Sequence, residues 1–144
     1  NQTNLSTCIE TNGAILAEVL ELLMPVIDFA MIDFKVFDPL IHHKLTEAEN
    51  ISTLNSIKRL AEAGKLHMVR TVVVPGFTDT IENTQATAKF LADIDPNIHL
   101  RLLRFRAHGV KGVASNWESP SDECMDKLIE VGLQEGLTHV DRSI

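Results

Sequence analysis

Short apolar, β-branched runs recur along the chain at residues 5–10, 27–35, 66–74, 98–105 and, more weakly, 137–140, each bounded by turn residues. Between them lie stretches of helical periodicity at 14–23, 51–63, 81–92 and 122–134, the second closed by Gly64 and the fourth by Gly136. Strands separated by a helix need crossover connections, since a tight turn only reverses the chain. The alternation therefore predicts an α/β fold with a parallel sheet covered by helices, either doubly wound or part of a barrel. Helix starts agree with this register: Ser121 precedes Asp122 and Glu123, and Asp79 stands at capping-box spacing from Glu82. No Pro-, Gly- or Ser-rich linker divides the chain. Residues 106–120 form one long loop with Gly109, Gly112, Ser115 and Trp117, a candidate lid or partner surface.

At 144 residues the chain suffices for one core, so a single unit over 1–144 is expected. Its 44% apolar and 23% charged residues are those of an ordinary globular protein. A net charge of -7 repels nucleic-acid phosphates and anionic lipid heads, so neither partner is expected, and an anionic ligand needs a local basic group. The apolar stretch 14–34 is interrupted by Glu18, Glu21, Asp28 and Asp33, each costly in hydrocarbon, so no membrane span is predicted. Cys8 and Cys124 fit no disulfide framework or metal-ligand spacing, which makes the cytoplasm the expected compartment. The sequence opens at Asn1 already reading as the middle of a fold, and is expected to be part of a longer protein.

In parallel α/β folds, functional groups gather where the strands end and the βα loops converge. Here those ends read Glu10-Thr11-Asn12-Gly13, Asp33-Phe34-Lys35, Val74-Pro75-Gly76 and Arg104-Phe105-Arg106, with His108 just beyond. Period-two alternation puts Met31, Asp33 and Lys35 on one strand face, and Met68, Arg70, Val72 and Val74 on one face of the next. Burying Asp33, Lys35 and Arg70 unpaired costs several kcal/mol, so they need mutual pairing or a charged ligand. The plainer readings are a solvated strand end where Asp33 and Lys35 neutralise each other, and a simple turn at 10–13 with Asn12 capping and Gly13 at positive φ. Arg101, Arg104 and Arg106 with His108 and Lys111 form a basic group that receives an anion or merely faces solvent. His42 and His43 point different ways and do not make a metal pair. Cys8 in a buried strand and Cys124 beside acidic neighbours read as structural, and Trp117 as a plug over the core.

Taken together, Thr7-Cys8-Ile9-Glu10-Thr11-Asn12-Gly13, Met31-Ile32-Asp33-Phe34-Lys35, Arg70-Thr71-Val72-Val73-Val74-Pro75-Gly76 and Leu102-Leu103-Arg104-Phe105-Arg106 resemble, in order and spacing, the pyruvate formate-lyase activating enzymes. The resemblance implies the later βα units of a partial (β/α), TIM-like barrel. It implies a radical S-adenosylmethionine enzyme whose [4Fe-4S] cluster, fed by an electron donor, cleaves the cofactor so that a glycyl radical forms on a pyruvate formate-lyase-type partner. By the same resemblance Glu10 stands where the family usually has Asp near the methionine end of the cofactor, followed by Thr11 and Asn12. Asp33 and Lys35 match the family's Asp-x-Lys strand end, Arg70 and Val72 line the cofactor pocket, and Arg106 aligns where some relatives carry His beside the nucleoside. A monovalent cation held by Glu10, Asp33 and the carbonyls of Thr11 and Met31 is also implied, oxygen-only ligation suiting a hard ion. The zwitterionic methionine end needs a cation for its carboxylate and an anion for its ammonium, roles open to Lys35 and to Glu10 or Asp33.

The family's three-cysteine loop and its Gly-Gly-Glu strand have no counterpart in these residues, so the chain on its own is expected to be inert, with its cluster ligands upstream. Two other readings are kept. Lys35 at a barrel strand end could form a Schiff base with a carbonyl substrate, or the loop around 109–117 makes this a non-catalytic interaction module. A half-barrel also exposes strand edges, so the isolated piece is expected to self-associate.

Overall fold

The computed structural model describes residues 4–143. Five strands, β1 (Cys8–Thr11), β2 (Phe29–Asp33), β3 (Leu66–Val73), β4 (Leu100–Arg104) and β5 (Val140–Arg142), form one sheet in sequential order with every neighbouring pair parallel. Helices α1 (Ala17–Leu23), α2 (Pro39–Thr46), α3 (Ile51–Glu62), α4 (Ile81–Ile94) and α5 (Asp122–Gln134) fill the connections. Right-handed crossovers between strands that always step the same way return each helix to the same side of the sheet. The sheet is therefore singly wound, as in a barrel wall, which resolves the choice left open by periodicity.

The helix-covered face is the core. Ala30, Ile32, Val69, Val73, Leu100 and Leu102 point into it, and Leu20, Ile57, Leu60, Ala88, Leu91, Met125 and Leu128 meet them from the helices, all essentially without solvent contact. Each Val, Leu, Ile or Met among them contributes about 1.5–3 kcal/mol by leaving water. Gly132 sits mid-helix in α5 because a Cβ there would stand 3.1 Å from a Val140 methyl group, so the missing side chain lets α5 close onto β5.

Local chemistry sets the element ends. Sequence periodicity starts the first helix at 14, but residues 12–16 are used otherwise. Asn12 Oδ1 accepts from the Ala14 amide at 3.0 Å, the Ile15 amide donates to the Gly13 carbonyl at 2.8 Å, and the helix proper begins at Ala17. Gly13 is held at φ +74, with Thr53 Cγ2 3.0 Å from where a Cβ would lie. The capping box read from Asp79 and Glu82 is not formed. Thr80 caps α4 by accepting from the Asn83 amide, while Asp79 turns back to accept from Gly76. Ser121 caps α5 as its position suggests, accepting from Cys124 at 3.1 Å.

Helix α2 was not expected from periodicity. Its start signal is nonetheless plain: Asp38 Oδ1 accepts from the Leu40 and Ile41 amides at 2.8 and 2.9 Å, and Pro39 occupies the first turn, where it needs no donor. The helix ends at Glu47 with φ 58, the only non-glycine residue at positive φ among those described. His42 is buried in α2 and bonds the Ala48 carbonyl through Nδ1 at 2.9 Å, whereas His43 is exposed. No helix among the described residues is long and apolar enough to cross a membrane.

The face opposite the helices carries the polar groups. Asp33, Arg70, Arg101 and Asp141 stand in lateral register across β2, β3, β4 and β5. Arg101 grips Asp141 with two bonds, Nε to Oδ1 at 2.8 Å and Nη2 to Oδ2 at 2.6 Å. His99 Nε2 also comes to 3.0 Å from Asp141 Oδ1, but off the hydrogen-bond axis, and its ring stacks on His139 at 4.2 Å. The Arg101 bonds, with a smaller contribution from His99, hold the Asp141 carboxyl down at about 2.

Three outcomes follow from these contacts. Glu47→Gly relieves a left-handed residue and is expected to raise the unfolding free energy by about 1 kcal/mol in urea titrations. Gly13→Ala, which meets both the left-handed backbone and the Thr53 methyl, is expected to lower it by about 2–4 kcal/mol. For Asp141 the folded pKa lies below the unfolded one, so its contribution is full above the ordinary carboxylate range and fades as pH falls through about 2. The shift corresponds to about 2.5 kcal/mol, and screening of a side chain 34% exposed reduces this to about 1 kcal/mol. Asp141→Asn should therefore be about 1 kcal/mol less stable at pH 7, and the gap to the parent protein should close between about pH 4 and pH 2.

Candidate functional site

Three neighbouring strands finish at one edge of the open face and bring their last charged residues together. Glu10 lies opposite Met31 across β1 and β2, and Asp33 lies opposite Arg70 across β2 and β3. The guanidinium of Arg70 reaches between the two carboxylates. Its Nε donates to Asp33 Oδ1 at 2.8 Å, Nη2 approaches the same oxygen at 2.7 Å, and Nη2 also bonds Glu10 Oε1. The side chain of Arg70 is 16% exposed, that of Asp33 31% and that of Glu10 56%, so the cation is sheltered and the anions face outward. The bond from Arg70 holds the Glu10 carboxyl below the usual carboxylate range, and the bonds to Glu10 and Asp33 raise Arg70 further against its burial. The mutual pairing that the open-face charges demand is thus met by Arg70 rather than by Lys35.

Lys35 comes two residues after Asp33, past the end of β2, where alternation no longer fixes its direction. With Asn12, His42, Thr46, Glu49 and Thr53 it lines a cavity of about 110 Å³. Its amine has no ion-pair or hydrogen-bond partner among the described residues, so the Asp33–Lys35 neutralisation considered from sequence does not occur. Thr11 and Asn12 build the turn between these groups. Thr11 Oγ1 accepts from the Gly13 amide at 3.2 Å, and the Asn12 carbonyl accepts from Thr53 Oγ1 at 2.9 Å. Met31 and Val72 are half-buried beside Arg70 on the open face, Val72 opposite Leu103 on β4. Arg106 follows β4 and is exposed.

The basic group read around 101–111 is dispersed by the fold. Arg101 pairs with Asp141, and Arg104 bonds the Pro120 carbonyl at 2.6 Å and the Asp122 carboxylate, which Arg142 also bonds at 2.6 Å. Asp122 and Asp141, both missed as site-shaping residues, lie about 20 to 40 positions away in sequence, beyond the reach of local pattern. Trp117 stacks on Phe77 at 4.6 Å and tilts against Phe105 at 6.0 Å, closing the loop over the ends of β3 and β4. Cys8 is exposed rather than buried, because the open face of β1 has no helix over it. Cys124 is half-buried in α5, and burial, then the nearby Asp79, pushes its thiol up. With these two cysteines on different elements, and no group of three or more His, Cys, Asp or Glu among the described residues placed to hold a metal, the residues present do not fit a [4Fe-4S] cluster. A concavity of about 490 Å³ between α1 and α3 is lined by Leu16, Leu20 and Ser56 and by the Glu21–Arg59 ion pair. It is mostly apolar, lies on the helical side and gathers no reactive groups, so the strand-end cluster is the candidate site.

No protein-family model matches the chain. It is similar to an indoleacetate decarboxylase activating enzyme of Tractidigestivibacter scatoligenes, 30% identical over 134 residues, covering 88% of this chain and 42% of that protein. It is also similar to the pyruvate formate-lyase 1-activating enzyme of Escherichia coli (strain K12), 31% identical over 107 residues, 73% of this chain and 44% of that protein. A third relative is a 4-hydroxyphenylacetate decarboxylase activating enzyme of Clostridioides difficile (strain CD196), 33% identical over 112 residues, 76% of this chain and 35% of that protein. The chain thus spans less than half the length of these relatives. In fold it superposes with a TM-score of 0.82 on the crystal structure of a domain of a pyruvate-formate lyase-activating enzyme from Bacteroides vulgatus, at 21% identity over 97% of this chain and 82% of that one. A radical SAM methyltransferase from Sphaerobacter thermophilus gives 0.72 at 16% identity over 94% of this chain and 39% of that one. The parallel sheet with its one-sided helices is accordingly that of a partial (β/α) barrel, and the chain belongs to the family of pyruvate formate-lyase activating enzymes and related glycyl-radical-activating enzymes.

Proposed function

We propose that this chain grips the amino-acid end of S-adenosylmethionine in a radical activase whose whole protein installs a glycyl radical on a partner of the pyruvate formate-lyase type. The observation that carries the reading is the convergence of Glu10, Asp33 and Arg70 at the C-terminal edge of three parallel strands, with an unpartnered Lys35 at the same edge. Two carboxylates against one guanidinium leave one negative charge, suited to an ammonium, and the Lys35 amine suits a carboxylate. Asp33 Oδ2 accepts no bond among the described residues and is open to a donor from the ligand. Val72 supplies an apolar wall, the backbone of Thr11 and Asn12 a polar rim, and Arg106, exposed beyond β4, is assigned to the nucleoside by its alignment with the family. In the whole protein a [4Fe-4S] cluster held by thiolates outside these residues would supply the electron that cleaves S-adenosylmethionine, the source of the radical that would take a glycine hydrogen. The residues of this chain hold the cofactor's charged end, keep it oriented and shield it from water on the barrel side.

Calorimetric titration of the full-length protein with S-adenosylmethionine tests this. Lys35→Met and Asp33→Asn should each weaken binding by about 10- to 100-fold, the loss of one charge-assisted bond, with Lys35→Arg recovering part of it. Unchanged affinity in Lys35→Met and Asp33→Asn would remove the basis for the assignment. With the parent protein, a glycyl-radical signal should appear by electron paramagnetic resonance on a pyruvate formate-lyase-type partner, and its yield should fall in step with the lost affinity.

A further inference from the structure

The resemblance implies a monovalent cation between Glu10 and Asp33, completed by the carbonyls of Thr11 and Met31, and the arrangement of these residues does not fit one. The space between the carboxylates is taken by the guanidinium of Arg70, with Nη2 shared between Asp33 Oδ1 at 2.7 Å and Glu10 Oε1. Arg70 rises from β3, in the middle of the sheet, and its side chain is the most sheltered of the three, so it is a built part of the site and not a surface chain that happens to reach in. Met31 is paired to both neighbouring strands, and a strand carbonyl lies in the plane of the sheet, not over the face on which the carboxylates stand. Charge leads to the same conclusion. Glu10 and Asp33 against Arg70 leave one negative charge, which the ammonium of the ligand cancels; an alkali ion in addition would leave a positive excess beside Arg70 and Lys35. Arg101, next in register, does not relieve this, since Asp141 already neutralises it.

We propose that Arg70 is the resident cation of this site, so that the protein binds S-adenosylmethionine, or another ligand with a free α-amino-acid end, without an alkali-metal ion. Glu10 makes this possible by carrying its carboxylate one methylene further than the Asp usual in the family, far enough to share Nη2 with Asp33. The inference rests on the cofactor-binding reading above, and the test separates the two.

Full-length protein with its cluster reconstituted is titrated calorimetrically with S-adenosylmethionine in tetramethylammonium chloride and in potassium or sodium chloride at equal ionic strength. The parent protein should bind equally well in all three, within about twofold. Arg70→Gln should bind about tenfold or more weakly in tetramethylammonium and regain most of that in potassium or sodium, because an alkali ion can then enter the vacated space. Glu10→Asp, which draws the carboxylate back from Arg70 with little risk to folding, should acquire the same dependence in milder form. Parent binding that needs potassium or sodium by about tenfold, or Arg70→Gln and Glu10→Asp affinities that no alkali ion restores, would overturn the proposal. A parent protein that binds no S-adenosylmethionine in any of the salts would instead defeat the cofactor reading itself.

Discussion

Every strand of this sheet runs the same way and each follows its predecessor in space, and that single constraint decides the rest of the structure. Crossovers of one hand, stepping always in one direction, place all covering helices on one side. One face then collects the aliphatic residues of both layers, and the other is left to charges and half-buried side chains. Loop conformations add to this arrangement without changing it, since the strands that carry Glu10, Asp33 and Arg70 are already aligned by the parallel ladder.

Within the open face, the residue that organises the site is Arg70. A pair of carboxylates a few ångströms apart repel each other, and a guanidinium with several fixed donors is the side chain best shaped to bridge them. Because Arg70 stands on a central strand, its position is set by the sheet and not by a mobile loop, which suits a group that must be in place before a ligand arrives. Lys35 behaves differently. It projects into a small cavity roofed by α2, whose C-terminal turn is pinned by the bond from His42 to Ala48 and passes through the left-handed Glu47. The candidate site thus joins a rigid half on the sheet, in which one guanidinium bridges two carboxylates, to a second half supported by a helix end under backbone strain.

Periodicity alone reveals the strands and four of the five helices here, because each amphipathic stretch is bounded by Gly, Pro or a capping hydroxyl. Helix α2 escapes it, since its eight residues include His42, His43 and Lys44 and one buried histidine stands where an apolar residue would mark the inner face. The start signal of Asp38 and Pro39 is still visible to anyone looking for caps first. Glu10 and Asp33 are legible as strand-end charges and Arg70 as a charge on a strand face, and the need of Asp33 and Arg70 for pairing follows from burial alone. The identity of the partner does not, because Asp33 and Arg70 are 37 residues apart and meet only through strand register. Arg101 meets Asp141 through strand register as well, and Arg104 meets Asp122 at the first turn of α5; in sequence these arginines look like a pooled anion receptor and in space they are already paired. Asp79 shows the limit of a spacing rule: Thr80, one residue later, is the residue with the extended backbone that a cap requires.

The central claim is that the sheet's open edge, and not the larger apolar groove on the helical side, receives the cofactor. The most direct measurement is a crystal structure of the full-length protein with S-adenosylmethionine bound. The account predicts the amino-acid end lying over the ends of β1, β2 and β3, with its ammonium in hydrogen-bond contact with Asp33 or Glu10, its carboxylate at Lys35, and Arg70 still between the two carboxylates. A cofactor seated in the groove between α1 and α3, or one whose charged end makes no contact with Glu10, Asp33 or Lys35, would contradict it.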